Sequence, residues 1–213
     1  MIKEQSNKGG TDMCGRYTTE METDERQLLE ILMRAEQNGG TSVQREVFPS
    51  EAAAVLAVGT DGRTDAFSFR WGFPTAQKGR LLINARAETA AEKPTFAPHL
   101  QLGRRCVIPT AGFFEWAHVG ARKQADPAQK YRFNLPHTGI LYLAGLYRPS
   151  QSAHGGYEFV ILTRSANDSM APIHDRMPVI VREEHIGEYL GDAASAERLL
   201  GETPPVLIKR LVS

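Results

Sequence analysis

The chain has 213 residues with 25 Lys and Arg against 25 Asp and Glu, so its formal net charge is zero. This balance excludes a protein held on nucleic acid by bulk charge alone, and any polyanion site must be a local patch. With 41% hydrophobic residues, two cysteines and no run of about 18 apolar residues, the sequence predicts a cytoplasmic globular protein without a membrane span or a disulfide framework.

The first predicted element is a helix that follows a polar N-terminal extension. Residues 1–12 contain few apolar side chains, so we expect a flexible segment ahead of a single domain at 13–213. Residues 23–37 are typical of an amphipathic helix with Thr23 as its N-cap. Its buried face is predicted to comprise Leu28, Ile31, Leu32 and Ala35.

Strands dominate the rest of the chain. Residues 51–58 and 65–71 flank the turn sequence Gly59-Thr60-Asp61-Gly62, which predicts a β-hairpin. Further strands are predicted at 104–108, 112–118, 130–135, 139–148 and 157–163, with short helices at 183–190 and 193–200. Because strands and helices do not alternate, we expect an α+β fold: one domain with a mainly antiparallel, barrel-like β-sheet and peripheral helices.

Cys14 is a candidate nucleophile. It follows Met13, and a methionine before a small residue is the pattern on which initiator-methionine removal acts. With a free α-amine beside its thiol, Cys14 would be a 1,2-aminothiol, whose groups titrate near about 8 and about 8.5. Such a residue can capture an aldehyde as a Schiff base and then close a five-membered thiazolidine ring. The alternative is a buried structural cysteine.

Glu115 and His174 are candidates for proton transfer. Glu115 lies between Phe114 and Trp116 in an apolar strand, where burial is expected to raise the pKa of its carboxyl group. His174 lies in a predicted loop and is a candidate general acid or base near neutral pH. The alternatives are a structural partner of an arginine and a hydrogen-bonded loop histidine. The six histidines show no metal-ligand spacing with the cysteines, so no metal site is predicted.

Asn84 and Arg86 place an amide and a guanidinium side by side. If their segment is extended, both side chains point to one face, since strand side chains alternate. Arg16 is two positions from Cys14, so those two side chains are expected to share a cleft. Trp71 can stack on an exposed base, with a core position as the alternative.

Six short motifs, in this order, resemble the SRAP family, the SOS response-associated peptidase domain whose members crosslink to abasic sites in single-stranded DNA. The motifs are MCGRY (13–17), WGF (71–73), NARAET (84–89), GFFEW (112–116), ILT (161–163) and HDRMP (174–178). The resemblance implies a single α+β domain with a barrel-like sheet, which agrees with the predicted strands.

The resemblance also implies a role for particular residues. Cys14 would be the catalytic N-terminal cysteine, Asn84 would position its amine, and Glu115 and His174 would move protons during sugar-ring opening and attack. The residues expected to line the DNA cleft are Arg16, Pro49, Trp71, Arg86 and Thr163.

The implied function is abasic-site processing in the DNA damage response. The protein would act without a cofactor, as a monomer, on single-stranded DNA containing abasic sites. It would form a stable thiazolidine between Cys14 and the open-ring aldehyde, which shields the lesion. Weak lyase activity through the Schiff base and self-cleaving peptidase activity belong to the same expectation.

Three features depart from the family pattern. Residues 1–13 precede Cys14, so either translation starts at Met13 or this segment is removed. The string Glu46-Val47-Phe48-Pro49 has Glu46 near the position where the family usually has an asparagine, and a carboxylate is a poor neighbour for phosphate. The chain also ends at Val212-Ser213, earlier than in longer members, so the rear of the cleft is expected to be incomplete.

Two alternative functions belong to other classes. A cysteine hydrolase would use Cys14 or Cys106 with His174, although Cys106 lies in an apolar run and is expected to be buried. A non-catalytic single-stranded DNA-binding module would use the arginines and aromatic residues alone.

Overall fold

A computed structural model describes residues 15–21, 26–39, 45–117, 129–136, 139–152 and 155–212. The predicted flexible extension 1–12, the candidate nucleophile Cys14 and the predicted N-cap Thr23 lie outside these ranges. In the described part of the chain, no helix is long and apolar enough to span a membrane.

The described elements are mostly strands. The strands are β1 (Tyr17–Thr18), β2 (Glu46–Val47), β3 (Ala52–Val58), β4 (Thr64–Trp71), β5 (Phe73–Pro74), β6 (Leu81–Leu82), β7 (Asn84–Arg86), β8 (Arg105–Thr110), β9 (Gly112–Ala117), β10 (Gln129–Asn134), β11 (Leu141–Pro149), β12 (Tyr157–Ser165), β13 (Arg176–Pro178), β14 (Ile180–Val181) and β15 (Ile208–Val212). The helices are α1 (Arg26–Gln37), α2 (Ala97–Gln101), α3 (Ile186–Gly191) and α4 (Ala193–Gly201), with 3-10 turns at Ala90–Glu92 and Glu183–His185.

An eight-stranded sheet forms the centre of the fold. Seven of its strands follow the order β13-β12-β4-β3-β8-β11-β14, and the eighth, β7, pairs with β12. Because β12 also pairs with β11, five of these strands close into a ring. Most pairings are antiparallel, but β12 runs parallel to both β4 and β7. This arrangement confirms the predicted α+β domain with a barrel-like sheet.

The predicted hairpin and first helix are both present. β3 and β4 pair antiparallel across the Gly59–Gly62 turn. Helix α1 packs against this hairpin, and the four residues predicted for its apolar face are all buried. Gly39 lies two residues after the end of α1 and close to β4, where a Cβ on Gly39 would be only 2.9 Å from Ser68 Cβ, so a larger residue would push the two elements apart.

A five-stranded sheet, in the order β15-β10-β9-β1-β2, packs on the central sheet. Tyr17, Phe113 and Phe133 occupy paired positions across β1, β9 and β10, and they belong to the same core cluster as Trp71 and Phe159 of the central sheet. Because strand side chains alternate, the intervening residues of β9 and β10 point to the other face of the five-stranded sheet.

The short strands were not predicted from the sequence. β1, β2, β5, β6, β7, β13, β14 and β15 have two to five residues each. Segments of this length carry too few alternations to show a periodicity, and long-range pairing fixes their conformation.

Candidate functional site

The residues that follow Cys14 in the MCGRY motif lie between the NARAET motif and the GFFEW motif. Cys14 is outside the described residues, and its neighbour Gly15 lies beside Ile83, with 3.9 Å between an ideal Gly15 Cβ and Ile83 Cδ1. The carbonyl oxygen of Arg16 accepts a hydrogen bond from the Phe114 backbone N–H at 2.9 Å. The chain after Cys14 is therefore held between the residue preceding Asn84 and the strand that carries Glu115.

Strand β7 places Asn84 and Arg86 on one face, as predicted. It pairs in parallel with β12, where Asn84 is opposite Ile161 and Arg86 is opposite Thr163. The residue between them, Ala85, is buried, whereas Asn84 is half-buried and Arg86 is exposed. The guanidinium group is thus available to a ligand from solvent.

Glu115 is a buried carboxyl group in an apolar strand. The residue is 5% exposed and faces the same side of β9 as Phe113, with Tyr131 opposite on β10. Its Oε2 accepts a hydrogen bond from the Trp116 backbone N–H at 3.3 Å. Burial next to the aromatic core agrees with the expected apolar setting of Glu115.

The geometry at His174 selects one tautomer of the neutral ring. The backbone N–H of Arg176 donates to His174 Nδ1 at 2.9 Å, so this nitrogen presents a lone pair and the proton is assigned to Nε2. Asp175 Oδ1 also lies 3.1 Å from Nδ1 and can accept its proton once the ring is doubly protonated. In the doubly protonated form, His174 can therefore donate a proton from Nε2 and return to the neutral ring.

An ion pair joins the motif around Asn84 to the motif around His174. Arg176 donates from both terminal nitrogens to the Glu88 carboxylate, each at 2.7 Å, and from Nη2 to the Thr163 carbonyl oxygen at 2.7 Å. The hydrogen bond from Arg176 lowers the pKa of Glu88 from 4.5 to about 2. Because the Arg176 backbone also holds His174, this pair fixes the imidazole relative to β7.

Replacement of Glu88 by glutamine is expected to weaken this connection. The pair is partly exposed, so it contributes about 1 kcal/mol or less at pH 7. Since the folded-state pKa lies below 4.5, the contribution is complete above that pH and is lost as the pH falls towards 2. Urea unfolding should show Glu88→Gln less stable than the parent at pH 7, with a smaller difference at pH 3. An equal difference at both pH values would contradict the assignment.

Trp71 occupies a core position below the surface. Its ring is 0% exposed, lies 6.2 Å from the Phe159 ring in a stacked arrangement, and donates from Nε1 to the Ile83 carbonyl oxygen at 3.0 Å. A buried ring has no free face for a base, so the burial of Trp71 favours the core position that was the alternative to stacking. Trp71 instead fixes Ile83, the residue that contacts Gly15 and precedes Asn84.

Thr163 and Pro49, both predicted to line the DNA cleft, differ in exposure: Thr163 is buried and Pro49 is half-buried. Thr163 is buried, and its Oγ1 accepts a hydrogen bond from Arg176 Nη2 at 3.3 Å, so it holds Arg176 and is not part of the exposed surface. Pro49 is half-buried in a turn whose next residue, Ser50, donates from its backbone N–H to the Trp71 carbonyl oxygen at 2.8 Å. A contact between Pro49 and DNA stays a prediction.

Arg16 lies on the opposite face of the five-stranded sheet from Glu115. Its guanidinium carbon is 4.3 Å from the Phe48 ring centroid and 5.2 Å from that of Trp116. Trp116 alternates with Glu115 along β9, so the two side chains point in opposite directions. The sequence did not single out Phe48, which is 37% exposed, or the half-buried Trp116 as the aromatic residues available at the surface.

The family model described as SOS response associated peptidase matches residues 13–207. The chain belongs to the SRAP family. The protein named abasic site processing protein YoqW of Bacillus subtilis is 35% identical over 188 residues, which cover 84% of this chain and 80% of that protein. Abasic site processing protein YedK of Escherichia coli is 32% identical over 129 residues, covering 60% and 55% of the two chains.

Solved structures show the same fold at low identity. A protein from Bordetella bronchiseptica superposes with a TM-score of 0.73 at 21% identity, covering 94% of this chain and all of that one. A protein from Bacteroides thetaiotaomicron gives a TM-score of 0.68 at 19% identity, covering 94% and 92%. The SRAP motifs of this chain therefore sit on a fold shared with proteins of very different sequence.

Cys106 is excluded as a nucleophile in this SRAP chain. It is completely buried in β8, and burial raises the pKa of its thiol far above neutrality. A buried protonated thiol is unreactive, so the alternative of a hydrolase built on Cys106 is wrong. Among the described residues, no group of three His, Cys, Asp or Glu side chains is arranged to hold a metal ion.

The buried position of Trp71 and its hydrogen bond to Ile83 have a measurable consequence. Trp71→Phe keeps an aromatic ring but removes the hydrogen bond to Ile83 and some volume, so the free energy of unfolding should fall by about 1–3 kcal/mol. Affinity for single-stranded DNA should change less than twofold in conditions where the variant is folded. A large loss of affinity with unchanged stability would restore the stacking role.

Proposed function

We propose that this SRAP protein binds single-stranded DNA and processes abasic sites by forming a covalent thiazolidine through Cys14. The observation that supports it most is family membership: the match begins at residue 13, directly before Cys14, and the bacterial relatives with the same extent of match are named abasic site processing proteins. The segment after Cys14 contacts Ile83, which precedes Asn84, and is hydrogen-bonded to Phe114, which precedes Glu115, and these neighbours are compatible with the same chemistry.

The proposed reaction uses both groups of a terminal Cys14. The neutral α-amine attacks C1′ of the open-chain deoxyribose, and the carbonyl oxygen leaves as water to give a Schiff base. The thiol then adds to the C=N bond: sulfur bonds to C1′ and the nitrogen takes up the proton. The product is a five-membered ring, and the overall change is loss of one water molecule.

Proton transfers are assigned to the residues whose surroundings suit them. His174 in its doubly protonated form donates the Nε2 proton to the ring oxygen of the closed sugar, while the C1′ hydroxyl loses its proton to water. The bond between C1′ and the ring oxygen breaks, the aldehyde is released and the imidazole becomes neutral. Glu115, a carboxyl group in an apolar setting, takes the proton that the attacking amine must lose. Asn84, fixed in β7 next to the chain that follows Cys14, orients the amine.

DNA binding is assigned to side chains at the surface. Arg86 is exposed on the same face of β7 as Asn84, so it can hold a phosphate beside the reacting sugar. Base stacking is assigned to Phe48 and Trp116, which are more accessible than the buried Trp71. Contacts of this kind are tolerant of sequence, which suits a lesion that occurs anywhere.

The proposal requires that Cys14 be the first residue of the active protein. Translation from Met13 followed by methionine removal would achieve this. Removal of residues 1–13 by a peptidase activity of the protein on itself would achieve it as well, and the family is described as a peptidase. Weak lyase activity through the Schiff base is part of the same proposal, because an imine at C1′ promotes strand scission next to the abasic site.

A denaturing gel tests the proposal. Protein that starts at Cys14 is incubated with single-stranded DNA carrying one abasic site, or with the same DNA carrying a tetrahydrofuran analogue that has no aldehyde. We expect a covalent shift only with the abasic DNA, abolished by Cys14→Ser. Salt-reversible binding without a shift would indicate a DNA-binding module instead, and peptide cleavage without a shift would indicate a cysteine hydrolase.

A further inference from the structure

Glu46 bridges two cations on the face of the five-stranded sheet that carries Arg16. Its Oε2 lies 3.3 Å from Arg16 Nη1, and its Oε1 accepts a hydrogen bond from Lys130 Nζ at 3.0 Å. Lys130 also lies 3.8 Å from the Phe114 ring centroid, and it pairs with Trp116 across β9 and β10. The cluster of Arg16, Lys130 and Glu46 has a formal charge of +1.

Arg16 is only partly satisfied by this carboxylate. The guanidinium uses one nitrogen at a long distance, and its Nε–H is buried without an acceptor in the described part of the chain. A guanidinium fork is best matched by an anion that accepts from two of its nitrogens. Because Arg16 holds Glu46 through one nitrogen only among the described contacts, an anion that matches the guanidinium better can replace this carboxylate.

A DNA phosphodiester has the chemistry to replace Glu46. Like a carboxylate, it presents two equivalent oxygens that share one negative charge. The aromatic rings of Phe48 and Trp116 flank Arg16 and can take bases next to that phosphate. The carboxylate therefore occupies the place that a backbone phosphate would take.

We infer that Arg16 and Lys130 form a phosphate subsite for single-stranded DNA, and that Glu46 fills this subsite in the free protein and competes with the DNA. This inference rests on the proposed function. It assigns Lys130 to DNA binding and makes Glu46 a residue that limits affinity. DNA must displace the carboxylate before it gains the two cations.

The test measures affinity for an undamaged single-stranded oligonucleotide at several salt concentrations. Glu46→Gln should raise affinity roughly 3- to 10-fold at low salt and steepen the slope of log K against log salt by about 0.7, the value for one added phosphate contact on a single strand. Lys130→Ala in the Glu46→Gln background should remove most of this gain. Glu36→Gln, the same charge change on an exposed position of α1, should leave both quantities unchanged.

Arg86→Ala separates the possible failures. If Arg86→Ala weakens binding but Glu46→Gln leaves affinity and slope unchanged in protein of parental melting temperature, the subsite is wrong while the proposed function stands. If the parent protein does not bind single-stranded DNA, both are wrong. A melting curve for each variant excludes misfolding, and Glu46→Asn offers a second neutral replacement for the same comparison.

Discussion

Glu115→Gln is expected to slow adduct formation by about 10²- to 10⁴-fold, the usual contribution of a general base. The amide is nearly isosteric and can still accept the hydrogen bond from the Trp116 backbone N–H, so the strand should keep its geometry. Binding of undamaged single-stranded DNA should be unchanged, because Glu115 is buried and points away from the face that carries Arg16. Single-turnover gel assays and equilibrium binding measure the two quantities.

A conservative variant separates chemistry from folding. Glu115→Asp keeps a carboxyl group and should recover part of the rate that Glu115→Gln loses. Equal rates for the two variants, or a loss of DNA binding that parallels the loss of rate, would show that Glu115 has a structural role and does not transfer a proton.

His174→Gln is expected to slow the reaction with a ring-closed abasic site by about 10²-fold. Glutamine can occupy a similar volume and still interact with the Arg176 backbone, but it cannot transfer a proton to the ring oxygen of the sugar. The effect should be much smaller on an oligonucleotide whose aldehyde cannot cyclise. Comparison of the two substrates therefore isolates the ring-opening step.

Asp175→Asn is the matched control for this prediction. Asp175 is adjacent to His174, but its side chain is 86% exposed, so its interaction with Nδ1 is screened by water. The rate of adduct formation by Asp175→Asn should stay within a few-fold of the rate of the parent protein. A slower reaction of His174→Gln with both aldehydes alike would place the imidazole at a later step than ring opening.

Local patterns in the sequence predicted the larger elements well. The apolar face of α1 follows a helical period, and the hairpin of β3 and β4 is marked by its turn residues, so neither depends on distant parts of the chain. The shared face of Asn84 and Arg86 follows from alternation in a strand, and the burial of Glu115 was expected from the apolar residues on either side of it. These features need only local information.

Long-range packing accounts for what the sequence did not predict. Alternation places Trp71 on one face of its strand, but whether that face meets solvent depends on the second sheet, which buries it. The ion pair between Glu88 and Arg176 joins residues 88 positions apart, and the bridge from Glu46 to Lys130 joins residues 84 apart. Partners at such separations are set by strand register in three dimensions.

The most direct measurement adds one glycine ahead of Cys14. This chain keeps the thiol but converts the α-amine of Cys14 into an amide, which cannot form a Schiff base. With abasic single-stranded DNA, protein that starts at Cys14 should give an adduct stable to denaturant, whose intact mass is the sum of both molecules less one water. The chain with the added glycine should give no such adduct. A permanent adduct of that mass from the glycine-extended chain would contradict the proposed chemistry.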